Sequence, residues 1–352
     1  MTNKRKRIGF CCKWLDDNIV ESNIKNRDLN GKSTTMKWLR ENPETAIERQ
    51  WELMNFNARA AYNMVERVGS LDPELRQVRL SSEMLQGYTE SNWKDWWQQP
   101  SVQAHLESIF APVGNLAREL DVRLSFHPGQ FCCLVSDNPN TVENSLAEME
   151  YHTDLARWMG YGKRFQDFKI NVHVSGRQGP GAMRNIVKRM SPELRNCLTL
   201  ENDEFTIDIG DLIELRDVAA IVFDVHHHWV KTGEYFDPQD ERVNYILESW
   251  RGVRPVMHYS QCREDLLVGH DPNVLPDMNT LLKQGFKKTK LRAHSDFMWN
   301  NAQNEQMLEF WEWADIQVEA KAKNLASADL LDRWTEKSRT NCPANATKTL
   351  LD

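Results

Sequence analysis

The 352-residue chain has no run of about 18 apolar residues, so no helix is expected to cross a membrane. Its basic start, MTNKRKR, is not followed by the apolar stretch of a secretory signal. A cytoplasmic or nucleoid-associated protein is therefore expected, not a secreted one. Cysteine is sparse: seven residues, with Cys11–Cys12 and Cys132–Cys133 adjacent to one another. An odd number in such positions gives no disulfide framework, and adjacent thiols do not easily take two corners of a zinc tetrahedron. They read as small buried hydrophobes in a reducing compartment. No segment repeats with a 20–50-residue period, which argues against a solenoid or propeller. An excess of cations is also missing, with 44 Lys and Arg against 51 Asp and Glu, a net charge of -7. Such a balance argues weakly against a nucleic-acid partner, because phosphate binding is driven by cations. The objection loses force if several carboxylates are metal ligands, since two or three divalent ions cancel roughly +4 to +6 locally.

What is present is a regular series of short apolar runs. KRIGFCC, QVRLSS, DVRLSFH, FKINVHV, NCLTLEN, AAIVFDV, RPVMHYS and ADIQVEA have strand length, and helix-like segments separate them. ETAIERQWELMNFNARAAYNMVERV has apolar spacing near 3.6, and TVENSLAEMEYHTDLARWMG predicts a helix capped by Thr141. IGDLIELRDV and the run from Tyr245 to Trp250 complete the helical set. About eight alternating units predict an α/β fold of the TIM (β/α)8 type, a single domain with inserted loops. Residues 1–326 are assigned to this domain and residues 327–352 to a polar C-terminal tail. A Trp-rich stretch with Trp93, Trp96 and Trp97 is one expected insertion, better read as packing than as a DNA stack. Gln261 to about Arg292, with a basic KKTKLR, is the other.

A carboxylate or imidazole closes nearly every run. His127, His173, Glu201, Asp224, His227, His258 and Glu319 stand at or near strand ends, and His294 precedes a polar turn in RAHSDF. His226 and His228 are alternatives to His227 in FDVHHH. Each residue taken singly is compatible with a structural role. Together they favour function, because a buried unpaired carboxylate costs several kcal/mol. A parallel barrel gathers all its strand ends at one mouth. Mixed imidazole and carboxylate donors suit Zn2+ or Mn2+ better than Ca2+ or Mg2+. Eight ligands exceed the needs of one ion, and clustered ions are suited to phosphate-ester hydrolysis.

In order along the chain, RIGFCC, RLSS, LSFHPGQF, NSLAEMEYH, NVHVSG, LTLENDE, FDVHHH, HYSQ, AHSDF and VEAK resemble the UV damage endonucleases, from about Arg7 to Lys323. The resemblance implies a TIM-type barrel related to endonuclease IV, and a hydrolase that nicks double-stranded DNA immediately 5′ of a UV photoproduct or abasic site. The ends left would be a 3′-hydroxyl and a 5′-phosphate. It also implies two or three divalent ions per chain, Mn2+ first and Zn2+ or Mg2+ as alternatives. The family's ligands fall on His127, His173, Glu201, Asp224, His227, His258, His294 and Glu319, with Glu201, His258 and Glu319 central to catalysis. Its lesion-probing residues fall on Gln130 and Phe131, where the family usually has Gln-Tyr. Phe10, Arg79 and Lys321 complete the expected DNA-contacting set. The chain is expected to act as a monomer on damaged DNA, away from membranes.

Three departures stand out. The family's further His after the second strand is absent, with Glu90 near the place as a substitute ligand. A lysine that relatives can carry two residues before the strand-seven His is here Val256. The first strand has Phe10 and Trp14 where the family tends to have Tyr and Asn. Two rival readings follow: a sugar isomerase-like metal barrel, and a barrel that binds damaged DNA without cutting it.

Overall fold

The computed structural model describes residues 5–16 and 28–340, with the side chains of 337–340 excepted. Each of the eight apolar runs forms a strand: β1 (Ile8–Cys11), β2 (Gln77–Arg79), β3 (Arg123–Phe126), β4 (Lys169–His173), β5 (Leu198–Glu201), β6 (Ala220–Val222), β7 (Val256–Tyr259) and β8 (Asp315–Val318). All pair in parallel in the order β6-β5-β4-β3-β2-β1-β8-β7. The gap between β6 and β7 is closed by a bridge between Asp224 and His258, with the His258 N–H donating to the Phe223 carbonyl at 3.0 Å. The result is the expected (β/α)8 barrel.

Strand alternation sorts the side chains into two layers. Ile8, Phe10, Val78, Leu124, Phe126, Ile170, Val172, Leu198, Leu200, Met257, Ile316 and Val318 are buried in the large apolar cluster shared with the helices. The intervening residues fill the barrel, and most of them are polar. Gln77 donates to Gln317 at 3.1 Å, Thr199 to Asn171 at 2.7 Å, and Lys169 lies 3.0 Å from His258. Gly9 is required here, because a Cβ would stand 2.6 Å from Gln77 Cγ and 2.8 Å from its carbonyl oxygen.

At the strand N-termini the barrel is plugged by ion pairs. The fully buried Asp315 accepts from Arg254 at 2.7 Å, Arg123 at 2.8 Å and the Arg7 N–H at 2.9 Å. Polar chemistry at that end is therefore spent on stability, and the other end is left for the site.

Several details differ from the sequence reading. The helix Pro139–Trp158 is capped by Asn138, not Thr141; its side chain accepts from the Asn140 N–H at 3.0 Å. Pro139 at the first helical position moves the start forward, since its missing N–H costs nothing there. The last helix, Lys323–Thr340, runs well past Ala326, where the polar tail was expected to begin. Leu330, Leu331 and Trp334 on it are buried, so this stretch closes the barrel; residues 341–352 lie outside the described residues. The Trp-rich insertion is a short helix, Ser91–Trp97. Trp97 is fully buried, and Trp96 packs on Trp51 and Trp97, as packing rather than DNA stacking requires. The segment after β7 carries helices Met278–Lys283 and Lys288–Leu291 over a small separate core, in which Leu267, Met278, Leu281 and Leu291 join Trp229 of the helix Val225–Thr232. Among the described residues no helix is long and apolar enough to cross a membrane.

Candidate metal centre

Glu201, the last residue of β5, is completely buried at the centre of the mouth. Its carboxylate accepts from Asn171 and meets His127 Nε2 at 3.2 Å and His258 Nδ1 at 3.0 Å. His227 Nδ1 lies 3.5 Å away and His173 Nε2 3.8 Å away. Burial opposes its charge, but His258, His173 and His127 prevail and hold the carboxyl well below the usual range. Two sets of donor atoms fall close enough to share a cation, His127 with His173 and Glu201, and Glu201 with Asp224 and His258. Glu201 belongs to both.

Asp224 supplies the clearest sign that a cation is wanted. Its Oδ1 caps the helix Val225–Thr232, accepting from the His227 N–H at 2.8 Å, while its Oδ2 is buried without a hydrogen-bond partner. Burial pushes this carboxyl up to about 8, against the pull of His227. A buried unpaired carboxylate oxygen is costly unless a cation meets it. His173 Nδ1 is likewise buried and unpartnered. Asn202 fixes Asp224 in place, accepting from its N–H at 2.8 Å and donating to its carbonyl at 3.0 Å. His227 hydrogen-bonds to the Asn202 carbonyl through Nδ1 at 3.1 Å, which leaves Nε2 toward Glu204, 3.9 Å away.

On the β8 side Glu319 pairs with Arg79 and approaches His258 Nδ1 at 3.2 Å. Burial would raise this carboxyl, yet Arg79 and His258 hold it well below its ordinary range. His294 faces His226 at 5.7 Å between rings, and it joins neither donor set. Divalent ions fit the mouth by its donor chemistry and its orphaned buried atoms.

The remaining expected residues divide. Gln130 and Phe131 stand exposed on the loop after β3, with Phe131 84% accessible, so its ring does not pack under the loop. Arg79 is at the mouth but is committed to Glu319. Lys321 is half exposed, 3.4 Å from Asp296. Phe10 does not reach the mouth. It is 1% exposed, with its ring edge on Trp14 among the helices, because its position in IGFC has the outward parity. Glu90 is exposed at the start of the helix Ser91–Trp97 and belongs to neither donor set. The Trp-rich helix rebuilds that stretch and carries the carboxylate outward.

Three residues at the centre were not anticipated. Lys169 is completely buried, with Nζ 3.0 Å from His258 Nε2, and burial brings its ammonium down to about 7. It places an amine beside His258 even though position 256 is valine. Asn171 and Asn202 hold the carboxylates. The alternation K-I-N-V-H in β4 carried the signal, since it puts Lys169 and Asn171 on the face of His173.

The sequence model of a family described as UV-endonuclease UvdE matches residues 6–347. The UV DNA damage endonuclease of Bacillus cereus (strain B4264) is 26% identical over 253 residues, covering 66% of this chain and 70% of the relative. That of Bacillus velezensis is 26% identical over 235 residues, covering 63% of this chain and 65% of the relative. Among solved structures, the crystal structure of SacUVDE matches with a TM-score of 0.68 at 21% identity, over 95% of this chain and 99% of the other, a likeness of fold.

Proposed function

Because this chain belongs to the UV-endonuclease UvdE family and is thus a DNA repair endonuclease, we propose that it nicks damaged duplex DNA immediately 5′ of UV photoproducts and of abasic sites. The ends left are a 3′-hydroxyl and a 5′-phosphate. The observation that carries this reading is the Glu201 hub, with His127, His173, His227 and His258 within 3.8 Å of its carboxylate and the Asp224 Oδ2, which has no hydrogen-bond partner, alongside.

His127, His173 and Glu201 hold one divalent ion in this reading, and Glu201, Asp224 and His258 a second. His227, His294 and Glu319 flank them, and Mn2+ is the preferred metal. Such ions, when bound, supply charge neutralisation at the phosphate and acidify water. The protein's own groups do the positioning. Arg79 fixes the Glu319 carboxylate, Asn202 fixes Asp224, and Lys169 orients the His258 ring. Gln130 and Phe131 probe the duplex from the rim, where the Phe131 ring fills the space left by unstacked bases. Damaged sites are chosen because their bases cost least to displace. The chain acts as a monomer.

The test is a nicking assay on a 5′-labelled duplex carrying one cyclobutane dimer, first in EDTA and then with Mn2+. Cleavage just 5′ of the dimer that needs Mn2+ and is lost in Glu201→Ala supports the reading. A folded, Mn2+-loaded protein that binds the duplex but leaves both strands intact refutes cleavage and favours the binding-only barrel.

A further inference from the structure

We infer that the segment inserted between β7 and β8 is a seat for the DNA backbone, with Lys287, Lys290 and Arg292 meeting phosphates and Phe205 packing against the strand beside them. This rests on the reading that the substrate is duplex DNA. The chain as a whole is acidic, at -7, yet residues 278–292 (MNTLLKQGFKKTKLR) carry Lys283, Lys287, Lys288, Lys290 and Arg292 and no carboxylate. The insertion's four carboxylates, Glu264, Asp265, Asp271 and Asp277, all precede this stretch, so residues 278–292 are cationic throughout.

The placement is at the mouth. The segment leaves at Cys262 and returns at His294, which bridge one another, so both of its ends lie at the strand C-termini. Arg292 pairs with Glu204 at 3.1 Å and lies over the Phe205 ring at 5.4 Å. Glu204 in turn is 3.9 Å from His227 Nε2, so the cationic patch borders the candidate metal centre. Lys231, on the helix Val225–Thr232, holds the Phe205 loop, its Nζ donating to the carbonyls of Phe205 at 3.0 Å and Thr206 at 2.9 Å. Lys288 donates to the Lys231 carbonyl at 2.6 Å and holds the short helix Lys288–Leu291 down.

The patch is both available and preorganised. Lys287 and Lys290 are exposed and form no ion pair among the described residues, and Phe205 is 47% exposed. Beneath them Trp229, Met278, Leu281 and Leu291 are nearly or fully buried, which fixes the backbone that presents the lysines. The exposed Phe131 belongs to a different loop of the same mouth. A duplex probed by Phe131 and crossing the centre would leave its backbone on the lysines.

The experiment measures binding of a fluorescent 24-base-pair duplex without a lesion across a salt series. It compares the wild type, Lys287→Gln/Lys290→Gln, and a control, Lys163→Gln/Arg164→Gln, whose exposed cations precede β4 at the other end of the barrel. Each lost phosphate contact lowers the slope of log K against log salt by about 0.9. The lysine pair should therefore lose about 1.8 in slope, a weakening of about 60-fold at 0.1 M salt relative to extrapolated 1 M salt. The control should keep the wild-type slope. An unchanged slope in the lysine pair, or an equal loss in the control, overturns the seat and leaves DNA as the substrate. A folded wild type with no salt-dependent affinity for duplex at all overturns the seat together with the reading beneath it.

Discussion

Replacing Phe131 by alanine separates folding from recognition more cleanly than any other change in this chain. A phenylalanine ring offers about 150–250 Å² when fully buried. At 84% exposure only about 16% of Phe131 is covered, or some 25–40 Å², worth about 0.6–1 kcal/mol at 25 cal/mol per Å². Phe131→Ala should therefore shift the unfolding free energy in urea by no more than about 1 kcal/mol. Stacking of a ring on an unstacked base is worth about 1–3 kcal/mol, so preference for lesion-bearing over intact duplex should fall by about 5- to 150-fold. Phe131→Tyr, which keeps the ring, should retain most of that preference. The readouts are urea unfolding and competitive binding of damaged and undamaged duplexes. A destabilisation of 3 kcal/mol or more would mean that the ring is a packing element. An unchanged preference in a stably folded Phe131→Ala would falsify its role as a probe.

Other consequences follow from the same geometry. Asp224→Asn keeps the helix cap and removes the buried carboxyl whose Oδ2 has no hydrogen-bond partner. Stripped of metal, the variant should be at least as stable as stripped wild type, whereas Mn2+ at 100 times its dissociation constant should stabilise wild type alone, by about 2.7 kcal/mol; equal stabilisation of both would remove Asp224 from the ligand set. Burial lowers the His152 imidazole from 6.5 to about 4, opposed by the Glu148 carbonyl. The unfolded chain thus takes up its proton first, and the stability contributed is complete above about pH 6.5 and declines toward pH 4, by at most about 1.4 kcal/mol per pH unit. His152→Leu should flatten the fall in unfolding free energy between pH 6.5 and 4.5, and an unaltered slope counts against the assignment. Ending the chain at Ala326 removes the buried Leu330, Leu331 and Trp334, about 5–9 kcal/mol of apolar burial, which is comparable with the whole stability of a domain. Circular dichroism of the truncated chain should show an unfolded protein, and a cooperative melt would refute the closing role of that helix.

Much of this could be read from the order of residues alone. Strand length, spacing and polar strand ends gave eight parallel strands and a mouth rich in imidazole and carboxylate, because period-two alternation and the barrel's single polarity are local rules. Parity went further than was used. In KINVH and LTLE every second residue points inward, which marks Lys169, Asn171 and Glu201 as barrel-lining and Phe10, in IGFC, as facing the helices. Other features lay beyond any local rule. That Lys169 meets His258, 89 positions away, and that Arg79 meets Glu319, 240 positions away, depends on closure of the barrel, which sets β2 and β8 on either side of β1 and turns β4 and β7 toward a common interior. Glu90 stands exposed at the head of a helix whose tryptophans pack on Trp51, a contact between distant residues. The basic KKTKLR gained its place at the mouth because Leu291 and Met278 sank into a small core beside Trp229. The sequence thus determined which groups were available and at which end of the barrel they stood. Closure and packing decided which of them touch, because those contacts are set by the summed burial of distant apolar residues and not by the residues that make the contact.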